Sequence, residues 1–190
     1  MVQALSARSN TFDFVWYKRA TLGWLTENMH LMPALDALDA RIILALDEDS
    51  EATTLSLART LGVARNTVHA RLQRITRAGL LKAPSRRLDP QALGYGLVAF
   101  VEMSISQGSA DVAIAGLVAI PEIIEIHSTT GDADLLAKVL AQDTADLYRI
   151  TNDILGTQGV LRTSTAISLL EVLPLRLTKL LEQAAQPDSP

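Results

Sequence analysis

The chain has 190 residues, 48% of them hydrophobic, and a formal net charge of −4, which favours a packed core over disorder. It contains no cysteine, which excludes disulfides, thiolate metal sites and a cysteine nucleophile. No apolar run reaches the roughly 18 residues of a membrane span, and Asp13, Lys18 and Arg19 interrupt any signal-peptide core. No membrane partner is therefore expected, and the cytoplasm is the default compartment.

Residues 1–34 form an N-terminal extension of distinct composition, holding Phe12, Phe14, Trp16, Tyr17 and Trp24. The extension reads as an added helix on a dimer or partner, as a membrane-surface contact, or as a stretch upstream of the true start. Met29 and Met32 are the candidate starts for the last reading, which a native peptide containing Trp16 would contradict.

Residues 35–90 form a basic module inside an acidic chain. From Ala52 to Leu88 there is no Asp or Glu, while Arg59, Arg65, Arg71, Arg74, Arg77, Lys82, Arg86 and Arg87 all fall there. From Gln91 onward the balance reverses to twelve acidic and five basic residues. A basic module on an acidic body suits phosphate binding without general stickiness.

Three helices are predicted in this module. The first covers residues 36–46, with Leu38, Ile42, Ala45 and Leu46 on one face and Asp36 and Asp39 at its N-terminus. The second starts near Thr54 as N-cap, carries Leu55, Ala58 and Leu61 inward and stops at Gly62. The third covers residues 65–78, with Val68, Leu72 and Ile75 as its buried stripe, and stops at Gly79. Two short helices joined at Gly62-Val63 make a helix-turn-helix, whose second helix enters the major groove of double-stranded DNA.

The third helix carries the chemistry. Arg offers a bidentate donor pair to guanine, Asn a donor and an acceptor to adenine, and Thr a methyl and a hydroxyl. Arg65, Asn66, Thr67 and His69 are thus the candidate base readers. Arg74, Arg77, Arg86 and Arg87 suit phosphate contacts, with Thr54 at the preceding helix start. Arg71 is assigned either to DNA or to an ion pair inside the module.

Leu35-Asp36, Asp39, the stretch from Ile42 to Leu46, then LARTLGVARNTVHARLQRITRAGLL and LDPQALGYGLVAFV resemble the Lrp/AsnC family of leucine- and asparagine-responsive regulators. The resemblance covers roughly residues 35–172. It implies an α+β chain: an N-terminal three-helix (winged) helix-turn-helix domain, then a ferredoxin-like βαββαβ domain for effector binding and dimerisation. It also implies a sequence-specific transcriptional regulator, not an enzyme, that forms a homodimer or a larger tetramer or octamer. Family members commonly begin near Met29 or Met32. Ala64 departs from the family pattern, which commonly has a capping Ser at that place.

The residues of the second half agree with that domain. A strand is predicted over 97–106, with Leu97, Ala99, Val101, Met103 and Ile105 on one face and Val98 and Phe100 on the other. A helix over 109–119, a strand over 122–130, a turn at Gly131-Asp132-Ala133 and a strand over 134–141 follow. A helix over 144–155 and a last strand over 159–170 close the domain, taken as residues 91–173. Residues 174–190 form a C-terminal helix and tail. Two helices cover one face of a four-stranded sheet, which leaves the other for a second copy.

The resemblance further implies an effector site at Gly131, Asp132 and Asp134, with Thr163 and Thr165 on the last strand. A carboxylate there suits the ammonium of an amino-acid effector, and hydroxyls suit its carboxylate. The plainer alternative is a hairpin turn and a β-branched strand. Ala133 replaces an aromatic often found at this place in the family.

Other motifs carry no chemistry. Leu93-Gly94-Tyr95-Gly96 lacks a dinucleotide fingerprint, and His30, His69 and His127 lie on separate elements without metal-ligand spacing. Ser104 and Ser128 lack a nucleophile context. No metal and no cofactor are expected. Two alternatives share the architecture: a sirohaem decarboxylase-like enzyme, against which the basic third helix argues, and a global chromosome-organising DNA-binding protein.

Overall fold

The structure, a computed structural model, describes residues 35–186, so the expectations for residues 1–34 and for His30 lie outside the described residues. In chain order the elements are α1 (Ala37–Glu48), α2 (Thr54–Leu61), α3 (Arg65–Arg77), and two 3-10 turns at Pro84–Arg87 and Pro90–Leu93. Then come β1 (Leu97–Ile105), α4 (Ala110–Val118), β2 (Ile123–Ser128), β3 (Leu135–Ala141), α5 (Thr144–Leu155), β4 (Val160–Ile167) and α6 (Thr178–Ala184). The described residues divide into two compact units, one of residues 35–87 with 172–186 and one of Leu88–Glu171.

In the helical unit, Ile42 of α1, Leu57 and Ala58 of α2 and Val68 of α3 form the core, with Leu38, Leu46, Leu61 and Leu72 packed around it. Asp36 caps α1 through a capping box in which Asp36 and Asp39 exchange backbone-to-carboxylate hydrogen bonds. The cap of α2 is Thr53, whose hydroxyl accepts from Ser56 N, so Thr54 is the first helical residue and not the expected N-cap. At about 100° per residue, the face holding Leu57, Ala58 and Leu61 turns Leu55 outward. Leu55 is 44% exposed, against its expected inward place. Gly62 ends α2 at φ 68°, a left-handed turn that favours glycine. Among the described residues no β-hairpin wing follows α3: Pro84 opens a 3-10 turn instead, lacking the alternation a strand needs. The C-terminal helix α6 lies against α1.

The second unit is an antiparallel four-stranded sheet of order β2-β3-β1-β4, the α+β architecture expected. Ala99, Val101 and Met103 of β1 and Ala137 and Val139 of β3 face Ala113 and Leu117 of α4 and Leu147, Ile150 and Ile154 of α5. All of these except Leu147 are fully buried. β4 stops at Ile167, short of the expected residue 170, which this register would place beyond Leu97, the first residue of β1. Ile167 pairs with Ala99, and Ser168 N makes the last bond, to Val98 O. Beyond it Leu169 and Leu170 are exposed.

Gly159 sets the entry to β4. Its φ is +94°, and an added Cβ would stand 2.9 Å from Ser109 Cβ and 3.2 Å from Ser109 O. Gly159→Ala is expected to cost about 2–4 kcal/mol from backbone strain plus overpacking. Urea unfolding followed by circular dichroism checks this as a lowered midpoint.

Candidate nucleic-acid interface and effector loop

The exposed face of α3 follows from its buried stripe. Val68 and Ile75 are fully buried and Leu72 is half-buried, which turns Arg65, Asn66, His69, Gln73, Thr76 and Arg77 to solvent. Three of the four expected base readers, Arg65, Asn66 and His69, therefore share one exposed face. Thr67 does not join them: it is half-buried and lies on the flank shared with Arg71 and Arg74. Gln73 was not anticipated. It is hydrogen-bonded to His69 (2.9 Å) and continues that exposed face by one turn. Its spacing of four from His69 was the available signal.

The flank of α3 is tied to α1. Arg71 bonds Asp36 and lies 3.3 Å from Asp39 Oδ1, and Arg74 bonds Asp39 Oδ2. Asp39 is fully buried and Asp36 half-exposed. The Asp39 backbone N–H, and then Arg71, hold the Asp36 carboxyl below the usual carboxylate range. Asp36 in turn raises the pKa of Arg71. Arg71 takes the internal role that the sequence left open. Arg74, expected on phosphate, is engaged inside the module as well.

Four other arginines of the unit make no ion pair. Arg65, Arg77, Arg86 and Arg87 are exposed and carry no ion pair among the described residues. Arg86 and Arg87 close the 3-10 turn that follows α3. The start of α3 is weakly held, since Ala64 at the N-cap makes no side-chain bond. A capping side chain is ordinarily worth about 0.5–2 kcal/mol.

The turn between β2 and β3 is clasped at its base. Thr129 Oγ1 donates to Ala133 O (2.6 Å), and Thr129 N donates to Asp134 O (3.0 Å). The Asp134 carboxylate already accepts from Ile105 N (2.8 Å), so it braces the end of β1. Gly131 and Asp132 lie exposed at the tip, and Asp132 is the freely available carboxylate. Thr163 pairs across β1 from Met103, whose carbonyl accepts from Asp134 N. Thr163 and Asp134 therefore flank the same end of β1, with Thr165 one step further along β4, opposite Val101.

Among the described residues no group of three or more His, Asp or Glu side chains could hold a metal ion. No helix among them is long and apolar enough to cross a membrane.

A family model described as the AsnC-type helix-turn-helix domain matches residues 35–75, and one described as the Lrp/AsnC ligand binding domain matches residues 98–177. The HTH-type transcriptional regulator FL11 of Pyrococcus horikoshii is 32% identical over 135 residues, covering 71% of this chain and 89% of that protein. The structure of AsnC from E. coli superposes with a TM-score of 0.71 at 26% identity, covering 77% of this chain and 99% of that one. NMB0573 of Neisseria meningitidis, solved as an L-Met complex, gives a TM-score of 0.67 at 24% identity. It covers 77% of this chain and 99% of that one, and at that identity the likeness shows the fold alone.

Proposed function

Because the chain belongs to the Lrp/AsnC family of DNA-binding transcriptional regulators, we propose that it reads specific sites on double-stranded DNA as a homodimer in the cytoplasm. We propose further that an amino acid or related small molecule alters that binding. The division of labour assigns residues 35–90 to DNA, 91–173 to effector binding and oligomerisation, and 174–190 to a C-terminal appendage.

The observation that carries this reading is the sorting of the arginines. Arg71 and Arg74 serve the acidic pair on α1, while Arg65, Arg77, Arg86 and Arg87 stay unpaired and exposed on α3 and the turn after it. Arg65, Asn66 and His69, joined by Gln73, then face the base edges. Arg77, Arg86 and Arg87 neutralise phosphates. Thr54 and Thr67, both half-buried, are left with backbone-positioning roles at most. A homodimer presents two such helices to two half-sites.

For the effector, Asp132 supplies the exposed carboxylate for an ammonium, Gly131 lets a ligand approach the backbone, and Thr163 and Thr165 supply hydroxyls. Asp134 holds the loop to β1. Methionine, the ligand seen with NMB0573, is of the class proposed.

A gel-retardation titration over a salt series tests the DNA half. Arg86→Ala is expected to weaken binding to all duplexes alike and to reduce the slope of log affinity against log salt by roughly 0.9. An unchanged slope would remove Arg86 from the phosphate contacts.

A further inference from the structure

Two side chains on the exposed face of α3 are bonded to each other. Gln73 Nε2 lies 2.9 Å from His69 Nε2, one helical turn away. An amide nitrogen carries only donors, so Gln73 donates an N–H and the imidazole Nε2 accepts it. The imidazole proton is then on Nδ1. Both side chains are exposed, and neither makes another hydrogen bond or an ion pair among the described residues. No cation competes for the amide oxygen. Arg71 and Arg74 turn to Asp36 and Asp39, and Arg65 and Arg77 bond neither His69 nor Gln73.

The bond uses one N–H of the amide and leaves its oxygen and its second N–H. That remainder matches adenine, whose N7 accepts and whose N6 amino group donates. Guanine shows two acceptors, N7 and O6, at the same edge. An amide held with its oxygen toward the base meets guanine with acceptor against acceptor. A free amide can turn about its last torsion and offer guanine its N–H groups instead. The bond to His69 thus sets how strictly Gln73 separates adenine from guanine.

The placement suits this role. Asn66, His69, Ala70 and Gln73 are all exposed and stand at i, i+3, i+4 and i+7. The third helix of a homeodomain uses the same spacing for its base contacts. Gln73 lies about 10 Å along the helix from Asn66, roughly three base-pair steps. His69 and Gln73 also line a shallow concavity with Leu72, Thr76 and Arg77. The methyl groups of Leu72 and Thr76 there suit the thymine methyl of the same base pair.

We propose that Gln73 reads an A·T pair, and that His69 is a positioning residue that holds the amide in its adenine-reading orientation. The inference rests on the DNA reading above and moves His69 from reader to support.

Selection of bound duplexes from a random library by the full chain tests it, followed by competition gel retardation on the selected site. Circular dichroism confirms that each variant is folded. The unchanged chain should select adenine over guanine at one position of each half-site. Gln73→Ala should lose the preference at that position alone. His69→Ala should lower the same adenine-to-guanine ratio at least ~5-fold, the low end for a bidentate contact. At neutral pH a glutamate accepts the amide N–H but cannot donate. His69→Glu should therefore keep that ratio while weakening binding to every duplex, because its charge opposes the phosphates. The pairing is overturned, and the DNA reading left standing, if Gln73→Ala changes no position. The same holds if His69→Ala relaxes a different position, or if His69→Glu loses the ratio as His69→Ala does. Selection of no shared sequence by the unchanged chain would overturn both the pairing and the DNA reading.

Discussion

Replacing Arg65 and Asn66 together with Ala is expected to abolish site-specific DNA binding while the chain stays folded. Both side chains are exposed on the first turn of α3 and have no side-chain partner among the described residues. Alanine is also the best helix former, so their removal costs the fold little. Each bidentate base contact is worth about 1–3 kcal/mol of discrimination, so the pair should cost about 2–6 kcal/mol of specific affinity. Non-specific binding should persist, because Arg77, Arg86 and Arg87 remain. Gel retardation with matched and scrambled duplexes at one salt concentration separates the two terms. An unchanged ratio between them rejects these readers.

The second large effect is on stability. Asp39 is fully buried and accepts from Arg71, Arg74 and the Asp36 backbone N–H. Asp39→Ala removes an α1–α3 tie and half of the capping box at once. Breaking a buried ion pair commonly costs 3–5 kcal/mol. Here Arg71 and Arg74 keep 32% and 39% side-chain exposure and can hydrate once freed, which places the loss near the lower end, about 3 kcal/mol. Thermal or urea unfolding of the helical unit by circular dichroism measures it. A loss under about 1 kcal/mol, the scale of a surface pair, would show that the tie is not structural.

The helical spacing of Val68, Leu72 and Ile75 made α3 and its exposed face legible, because a stripe at i, i+4 and i+7 also defines its opposite. The roles of Arg71 and Arg74 were not legible in the same way. Their partners lie 35 residues away in the chain, and only the packing of α1 on α3 brings them together. Leu55 was misplaced for a local reason: it stands three residues before Ala58, a same-face spacing, but the inward face is centred on Leu57, Ala58 and Leu61 and leaves Leu55 outside it. The strand alternation in β1 was plain because its core face is continuous. The end of β4 was not, since it depends on a register with β1, a strand about 60 residues earlier in the chain. At the turn between β2 and β3, spacing identified the turn but could not show that Asp134 would turn its carboxylate to Ile105 N and leave Asp132 exposed.

The central claim is that two copies of α3 read defined sites. Genome-wide mapping of bound DNA, with and without added amino acids, tests it most directly. Discrete sites should share a near-palindromic sequence whose half-sites are about 10 bp apart or a multiple of that, and their occupancy should change with the effector. Even coverage with no shared sequence would contradict the claim and favour a chromosome-organising role.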